Sequence, residues 1–168
     1  MSSDAAHRAW RPPRSRGEVD DREALPPIAG QLMRSIVELT ALSAGGYRVV
    51  FTPEQGLAAY SALSALSGSS FTDTAVRVQT GMGRNELHAL ARRIPTAPDD
   101  PGADGLELRE EELRAIHAAV MAVATLFLVN SAYFAQDPYQ MRVGYLREHM
   151  DAFALGLANA VSDVTGPS

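Results

Sequence analysis

The 168-residue sequence contains no cysteine and no lysine. Without thiols there is no disulfide, no thiolate nucleophile and no cysteine-ligated metal, and a cytoplasmic location is the expectation that follows. Without lysine, all 15 cationic side chains are arginine. With the abundant alanine this points to the codon usage of a high-GC bacterium, and every cationic contact has to be made by a planar guanidinium. Aromatic residues are sparse at 7%, and Trp10 is the single tryptophan. A net charge of -5 and a pI near 5.3 exclude a surface that is basic all over, though a local basic patch remains compatible with them.

The usual signatures of catalysis are missing too. There is no nucleophile elbow, no phosphate-cradling loop and no HExxH. Gly81-Met82-Gly83 lacks both a preceding parallel strand and a following Lys-Ser/Thr, which argues against a nucleotide site. His7, His88, His117 and His149 show no ligand spacing, and Asp99, Asp100 and Asp104 lack the ligand alternation of a calcium loop and read as solvated linker charges. We therefore expect no enzyme activity, no cofactor and no metal. Arg8, Arg11, Arg14 and Arg16 are followed by acidic residues, not by the apolar core of a signal peptide. The uncharged run from Ala115 to Gln136 is long enough to span a bilayer. However, it holds His117, Thr125, Asn130 and Ser131 and lacks flanking basic clusters, so a buried helix with a turn near Asn130 is expected, and no membrane partner.

What is present is a globular composition, 46% hydrophobic and 21% charged, and a pattern that occurs twice. Arg77 to Ile94 returns in weaker form as Arg142 to Leu157. With Gly81 set on Gly144, Arg84 falls on Arg147, Leu87 on Met150, Leu90 on Phe153 and Ile94 on Leu157. Each copy follows a short apolar run and a helical run, Val49 to Phe51 with Thr52 to Leu66, then Leu106 to Leu108 with Arg109 to Phe127. The chain is read as a diverged duplication.

In chain order, residues 1–27 are read as a disordered arm whose Trp10 lies among arginines. Residues 28–94 form a helical first half, 95–105 a linker, 106–164 a helical second half and 165–168 a tail. A first helix is expected from Ile28 to Ser43, stopped by Gly45-Gly46. Thr52-Pro53-Glu54-Gln55 predicts a capped helix start, with Leu57, Tyr60, Leu63 and Leu66 as its apolar stripe. Phe71, Ala75 and Val78 space like one helix face before the Gly81 turn, and Leu87, Leu90 and Ile94 like the inner face of the next helix. In the second half, Asp137 is expected to cap one long helix running through Gly144, with His149 and Glu148 exposed side by side. The fold class is thus mainly α, five to six helices in two related halves, with a minor ribbon pairing Val49–Phe51 with Leu106–Leu108.

Arg84, Asn85, His88 and Arg92 would share the outward side of the helix after Gly81. With Trp10 they are the candidate partner-binding residues, since tryptophan and arginine dominate binding hot spots. The residues support a non-catalytic regulatory or inhibitory protein that acts through a protein partner. The alternative is a helix-turn-helix DNA-binding regulator, because the same side chains suit base edges and phosphates. Oligomeric state is left open, a homodimer included.

Overall fold

The computed structural model describes residues 36–129 and 133–166. The arm at residues 1–27, Trp10 and most of the first expected helix lie outside the described residues.

The first element among the described residues is a strand rather than a helix. β1 (Glu38–Ala41) turns through residues 42–46 into β2 (Tyr47–Val50), so the helix expected up to Ser43 is corrected. Val37 is buried and Leu39 partly so, while Glu38 and Thr40 are exposed. That two-residue period belongs to a half-buried strand, and Gly45-Gly46 turns the hairpin instead of stopping a helix. β3 (Leu106–Leu108) pairs antiparallel on the other side of β2, with Val49 opposite Leu106. The expected ribbon is therefore the β2–β3 half of a three-stranded sheet ordered β1-β2-β3, its register running from Tyr47 to Val49.

α1 (Pro53–Ser67) starts as its sequence predicts. Thr52 Oγ1 accepts from the Gln55 backbone N–H at 3.3 Å, and Gln55 Oε1 accepts from the Thr52 N–H at 3.1 Å. Its inner stripe differs from expectation. Ala58, Ala59, Ala62, Leu63 and Leu66 are buried, whereas Leu57 and Tyr60 are 45% and 41% exposed. α1 is the central helix, packed on several neighbours, and an alanine face lets their backbones approach where larger side chains would not fit.

α2 (Asp73–Thr80) is capped by Thr72, and α3 (Arg84–Ala91) follows a turn at Gly81. Gly81 has φ +79°, a left-handed conformation that glycine adopts without steric cost. Val78 is 82% exposed and Val76 fully buried, which corrects the expected face. Phe71 precedes the helix, so its spacing to Val78 is not a helical one. Leu87, Leu90 and Ile94 point inward as expected. In the following linker Asp100 has a structural role, which corrects the reading of all three linker aspartates as solvated charges. It accepts from the Thr96 N–H at 2.7 Å, the Thr96 hydroxyl at 3.0 Å and the Ala97 N–H at 2.9 Å, bonds that lower its pKa.

α4 (Glu110–Ala122) closes another capping box, in which Glu112 accepts from the Arg109 N–H at 2.9 Å. Glu112 is buried and also accepts from the Arg93 guanidinium, which in turn reaches the Glu107 carbonyl at 2.8 Å. Burial by itself raises the Glu112 pKa, but the bonds from Arg109 and Arg93 outweigh it and hold the carboxyl below its ordinary 4.5. A depressed carboxylate stabilises the fold above its unfolded pKa, and that contribution is lost as pH falls through the folded value. The urea midpoint of the wild type is thus expected to drop on acidification below about pH 4.5. Glu112→Gln is expected to be less stable at neutral pH and to show a shallower acid response, measured by urea unfolding at stepped pH.

The uncharged run after Ile116 is not one helix. α4 ends at Ala122, a 3-10 turn covers Val123–Phe127, and a short hairpin pairs β4 (Leu128–Val129) with β5 (Tyr133–Phe134). Phe127 and Phe134 pack edge-on against Tyr139, so the aromatic residues hold the hairpin against the next helix. No helix among the described residues is long and apolar enough to cross a membrane.

α5 (Gln136–Val143) begins before Asp137, with Ala135 at the cap position, so Asp137 is a first-turn residue and not the expected cap. The single long helix through Gly144 is also corrected. Gly144 has φ +85°, and α6 (Arg147–Thr165) starts anew at Arg147. The turn rotates α6 so that His149, Met150, Phe153 and Leu157 are buried. His149 is 2% exposed and not the surface neighbour of Glu148 that its sequence position suggests. The Tyr145 hydroxyl donates to the Glu54 carbonyl at 3.0 Å, tying this turn to the first turn of α1. Burial, with the Glu54 charge adding to it, pushes the Tyr145 phenol up to about 12.

Both sides of the linker feed one core, in which Phe51 meets Phe153 at a ring separation of 6.3 Å. Burying a side chain of this size stabilises the fold by about 1.5–3 kcal/mol. The order strand, long helix, short helix, left-handed glycine, helix occurs from β2 to α3 and, with the β4–β5 hairpin inserted, from β3 to α6. Buried positions correspond across the two runs: Val76 and Tyr139, Thr80 and Val143, Met82 and Tyr145, Leu87 and Met150, Leu90 and Phe153. α1 packs on α3 as α4 packs on α6, and α1 and α4 pack on each other.

Candidate functional site

Of the residues singled out on α3, three share a solvent-facing side. Asn85, His88 and Arg92 are exposed, separated by three and four positions and so aligned on one helix face. Arg84 does not join them. Its guanidinium turns back toward the end of α1 and donates to the Ser67 carbonyl at 2.7 Å, the Ser69 carbonyl at 2.8 Å and the Phe71 carbonyl. It satisfies acceptors left over where α1 stops, a fixed-fork task for which arginine is better suited than lysine. Sequence spacing could place Arg84 at the start of α3 but not show that carbonyls lay within its reach.

The charges around α3 are mixed. Glu86, on the same helix, binds the Gly83 N–H at 2.7 Å and pairs with Arg77 at 3.3 Å, and Arg77 also lies 3.7 Å from Asp73. Arg93 is taken by Glu112. Among the described residues no ion pair or hydrogen bond engages the side chain of Arg92 or of His88, which meet each other only through the Arg92 N–H and the His88 carbonyl at 3.3 Å.

Arg92 borders a groove of about 750 Å³ between α1 and the segment that leaves α3. Leu57 and Tyr60 form one wall, Ile94, Pro95 and Thr96 the other. The two α1 residues that fall outside the core are therefore the ones that line the groove. Pro95 crosses α1 so closely that only a glycine at position 56 leaves room for its carbonyl.

A second groove, of about 330 Å³, runs between α4 and α6 and includes Tyr47, Arg114, His117, Leu157 and Val161. It occupies the corresponding place in the second half, His117 standing where Tyr60 stands and Leu157 where Ile94 stands. His117 is partly buried in its wall. Sequence reasoning missed both grooves. The signal was available in Leu57 and Tyr60, large residues on a helix whose inward face is already filled by alanine. Among the described residues no group of histidine, aspartate and glutamate is placed to hold a metal ion.

Fold and grooves together define a class: a mainly helical protein around a small antiparallel sheet, with two helix–glycine–helix units and a groove beside each. The chain matches no family model, no curated protein and no solved structure.

Proposed function

We propose that the protein is a non-catalytic binding protein with a regulatory or inhibitory role, and that it engages a protein partner through the groove between α1 and the end of α3. The observation that carries this reading is the grouping of Leu57, Tyr60 and Arg92 at one groove, two half-exposed apolar side chains beside a guanidinium with no side-chain partner among the described residues. Large apolar anchors next to arginine are the composition of binding hot spots. The two-unit build is read as an internal duplication, in which the second groove has lost the tyrosine and gained a histidine. A cytoplasmic setting in a high-GC bacterium fits the cysteine-free, arginine-only composition.

DNA binding is the second reading, favoured by the left-handed turn at Gly81 and by Asn85, His88 and Arg92 on one side of α3. Three features weaken it. Arg84 is spent on carbonyls, Glu86 sits on the same helix, and the matching face of α6 presents Glu148 and Asp151.

A photo-crosslinker placed at Leu57 or at Arg92 in the native host is expected to trap the same protein, and a crosslinker at exposed Val78 is not. Binding of that purified partner should weaken about tenfold or more in Tyr60→Ala. Fluorescence anisotropy with duplex DNA at low salt is expected to stay flat. A salt-dependent anisotropy rise that His88→Ala and Arg92→Ala abolish would instead establish the DNA reading, because phosphate contacts release counterions.

A further inference from the structure

The strand order β1-β2-β3 puts β1 on the outside of the sheet, and among the described residues no strand pairs with its far side. The hairpin shows which backbone groups that side carries. The Leu42 N–H donates to the Gly46 carbonyl at 3.0 Å, so residues 42 and 46 form a hydrogen-bonded pair. Such pairs alternate along an antiparallel ladder, and the register then turns the backbone groups of Thr40 and Glu38 toward Arg48 and Val50 of β2. Those of Val37, Leu39 and Ala41 point the other way, and a row of free N–H and C=O groups is a template for another strand.

Nothing on β1 blunts this edge except the charge of Glu38, and the residues beside it are apolar or small. Ile36, which leads into β1, is 85% exposed. On α6, which packs against β1, Gly156 meets Val37, and a Cβ there would lie 3.5 Å from the valine side chain. Ala152 and Asn159 neighbour Gly156 a turn away on either side, and Leu155 and Ser162 continue the same helix face. That face lies opposite Phe153 and Leu157, which α6 gives to the core, and it bears no charge between Asp151 and Asp163. Leu155 on it is 61% exposed. Two large exposed apolar side chains, Ile36 and Leu155, thus flank a strand edge whose hydrogen-bonding groups are free.

We propose that β1 pairs antiparallel with β1 of a second copy about a two-fold axis, giving a continuous six-stranded sheet, with the two Leu155 faces of α6 completing the interface. The residues of the strand select the register. An axis through Glu38 would set two carboxylates opposite each other, which is destabilising, and an axis through Thr40 would carry Ile36 past the end of the paired strand. An axis through Leu39 places Val37 opposite Ala41 of the second copy, Glu38 opposite its Thr40 and Ile36 opposite its Leu42. All the free backbone groups are then used, the carboxylate meets a hydroxyl, and the exposed isoleucine gains an apolar neighbour. The interface is small, so the dimer is weak and forms with rising concentration. The groove beside α1 includes Leu106 of β3, at the opposite edge of the sheet, so the dimer leaves that groove open and presents it twice. The pairing stands on β1 and α6 and does not depend on what the groove binds.

Sedimentation velocity of the full-length protein over a wide range of concentration is expected to show a reversible monomer–dimer equilibrium. Ala41→Pro removes an outward N–H and leaves the hydrogen bonds to β2 in place, and Leu155→Arg sets like charges on the facing helices. Each is expected to weaken the dimer by about tenfold or more with an unchanged far-ultraviolet circular dichroism spectrum. Val78→Arg, at an exposed apolar site on α2, is expected to leave the dimer as it is.

Disulfide trapping reads the register, and the absence of native cysteine leaves it free of background. Glu38→Cys mixed with Thr40→Cys is expected to cross-link under mild oxidation faster than either variant with itself, because only the mixed pair lies directly opposite. A protein monomeric at every concentration, the outcome if earlier residues of its own chain covered the edge, would overturn the proposal. So would a dimer that neither Ala41→Pro nor Leu155→Arg weakens, or cross-linking no faster in the mixture than in the separate variants.

Discussion

Gly56→Ala is expected to destabilise the protein by about 2 kcal/mol, although the same change on an ordinary helix surface stabilises by about 1 kcal/mol. A Cβ at position 56 would sit 1.8 Å from the Pro95 carbonyl oxygen and 3.0 Å from its carbon. Both atoms are backbone, so no rotamer change relieves the contact, and either α1 or the strand of chain leaving α3 has to move. Overpacking of this kind typically costs about 1–3 kcal/mol, enough to outweigh the gain in helix propensity. In a domain of this size the loss lowers the melting temperature by about 4–8 °C, which thermal unfolding followed by circular dichroism would register. Pro95 also forms a wall of the groove beside α1. The substitution should therefore weaken partner binding beyond what its stability loss accounts for, and a stabilised Gly56→Ala protein would show that the crossing is looser than described.

Arg84→Ala is expected to have the other large effect, a loss of about 3 kcal/mol, because it strands three carbonyls at the end of α1 and in the loop after it. Hydrogen bonds to a charged donor contribute about 1.5–3 kcal/mol each, and here the three act as a unit, so their sum overstates the result. Arg84→Lys is expected to recover only part, since an ammonium lacks the rigid fork that reaches several acceptors at once. Urea unfolding of the two variants measures both. The consequence for function is specific: Arg84→Ala should weaken any ligand of α3 through misplacement of the helix, with Asn85, His88 and Arg92 unaltered. A variant that bound normally with unchanged stability would place Arg84 in solvent.

How much was legible in the sequence can be judged element by element. The start of α1 was legible because Thr52, Pro53 and Gln55 act within four residues of one another, and local hydrogen bonds need no distant partner. So were the Gly81 turn and the inward face of α3, where the spacing of Leu87, Leu90 and Ile94 matches the helix period. The stretch from Glu38 to Ala41 was misread because it is too short for a helical and an alternating pattern to be told apart, and pairing with β2 decided it. The helix assumed through Gly144 failed for a similar reason. A lone glycine lowers helix propensity without specifying a left-handed turn, and burial of Tyr145 against α1 supplies what propensity left open.

The candidate site divides the same way. Asn85, His88 and Arg92 could be put on one face from the 3.6-residue period alone, whereas Arg84 was lost from that face to carbonyls 13 to 17 positions away. Leu57 and Tyr60 read as core because their spacing is that of an apolar stripe. Their exposure depends on which of the helix's two greasy sides the neighbours cover.

By itself, then, the sequence determined the capped start of α1, the turn at Gly81, the inward apolar faces of α3 and α6, and the absence of thiol and lysine chemistry, all properties of residues within a turn or two of each other. Only the tertiary structure decided that β1 is a strand, that Arg84 is internal, that α1 shows its larger side chains to a groove, and that a left-handed turn at Gly144 separates α5 from α6. Each of these depends on which distant backbone comes to lie alongside, and packing of separate elements settles that after the local preferences have been satisfied.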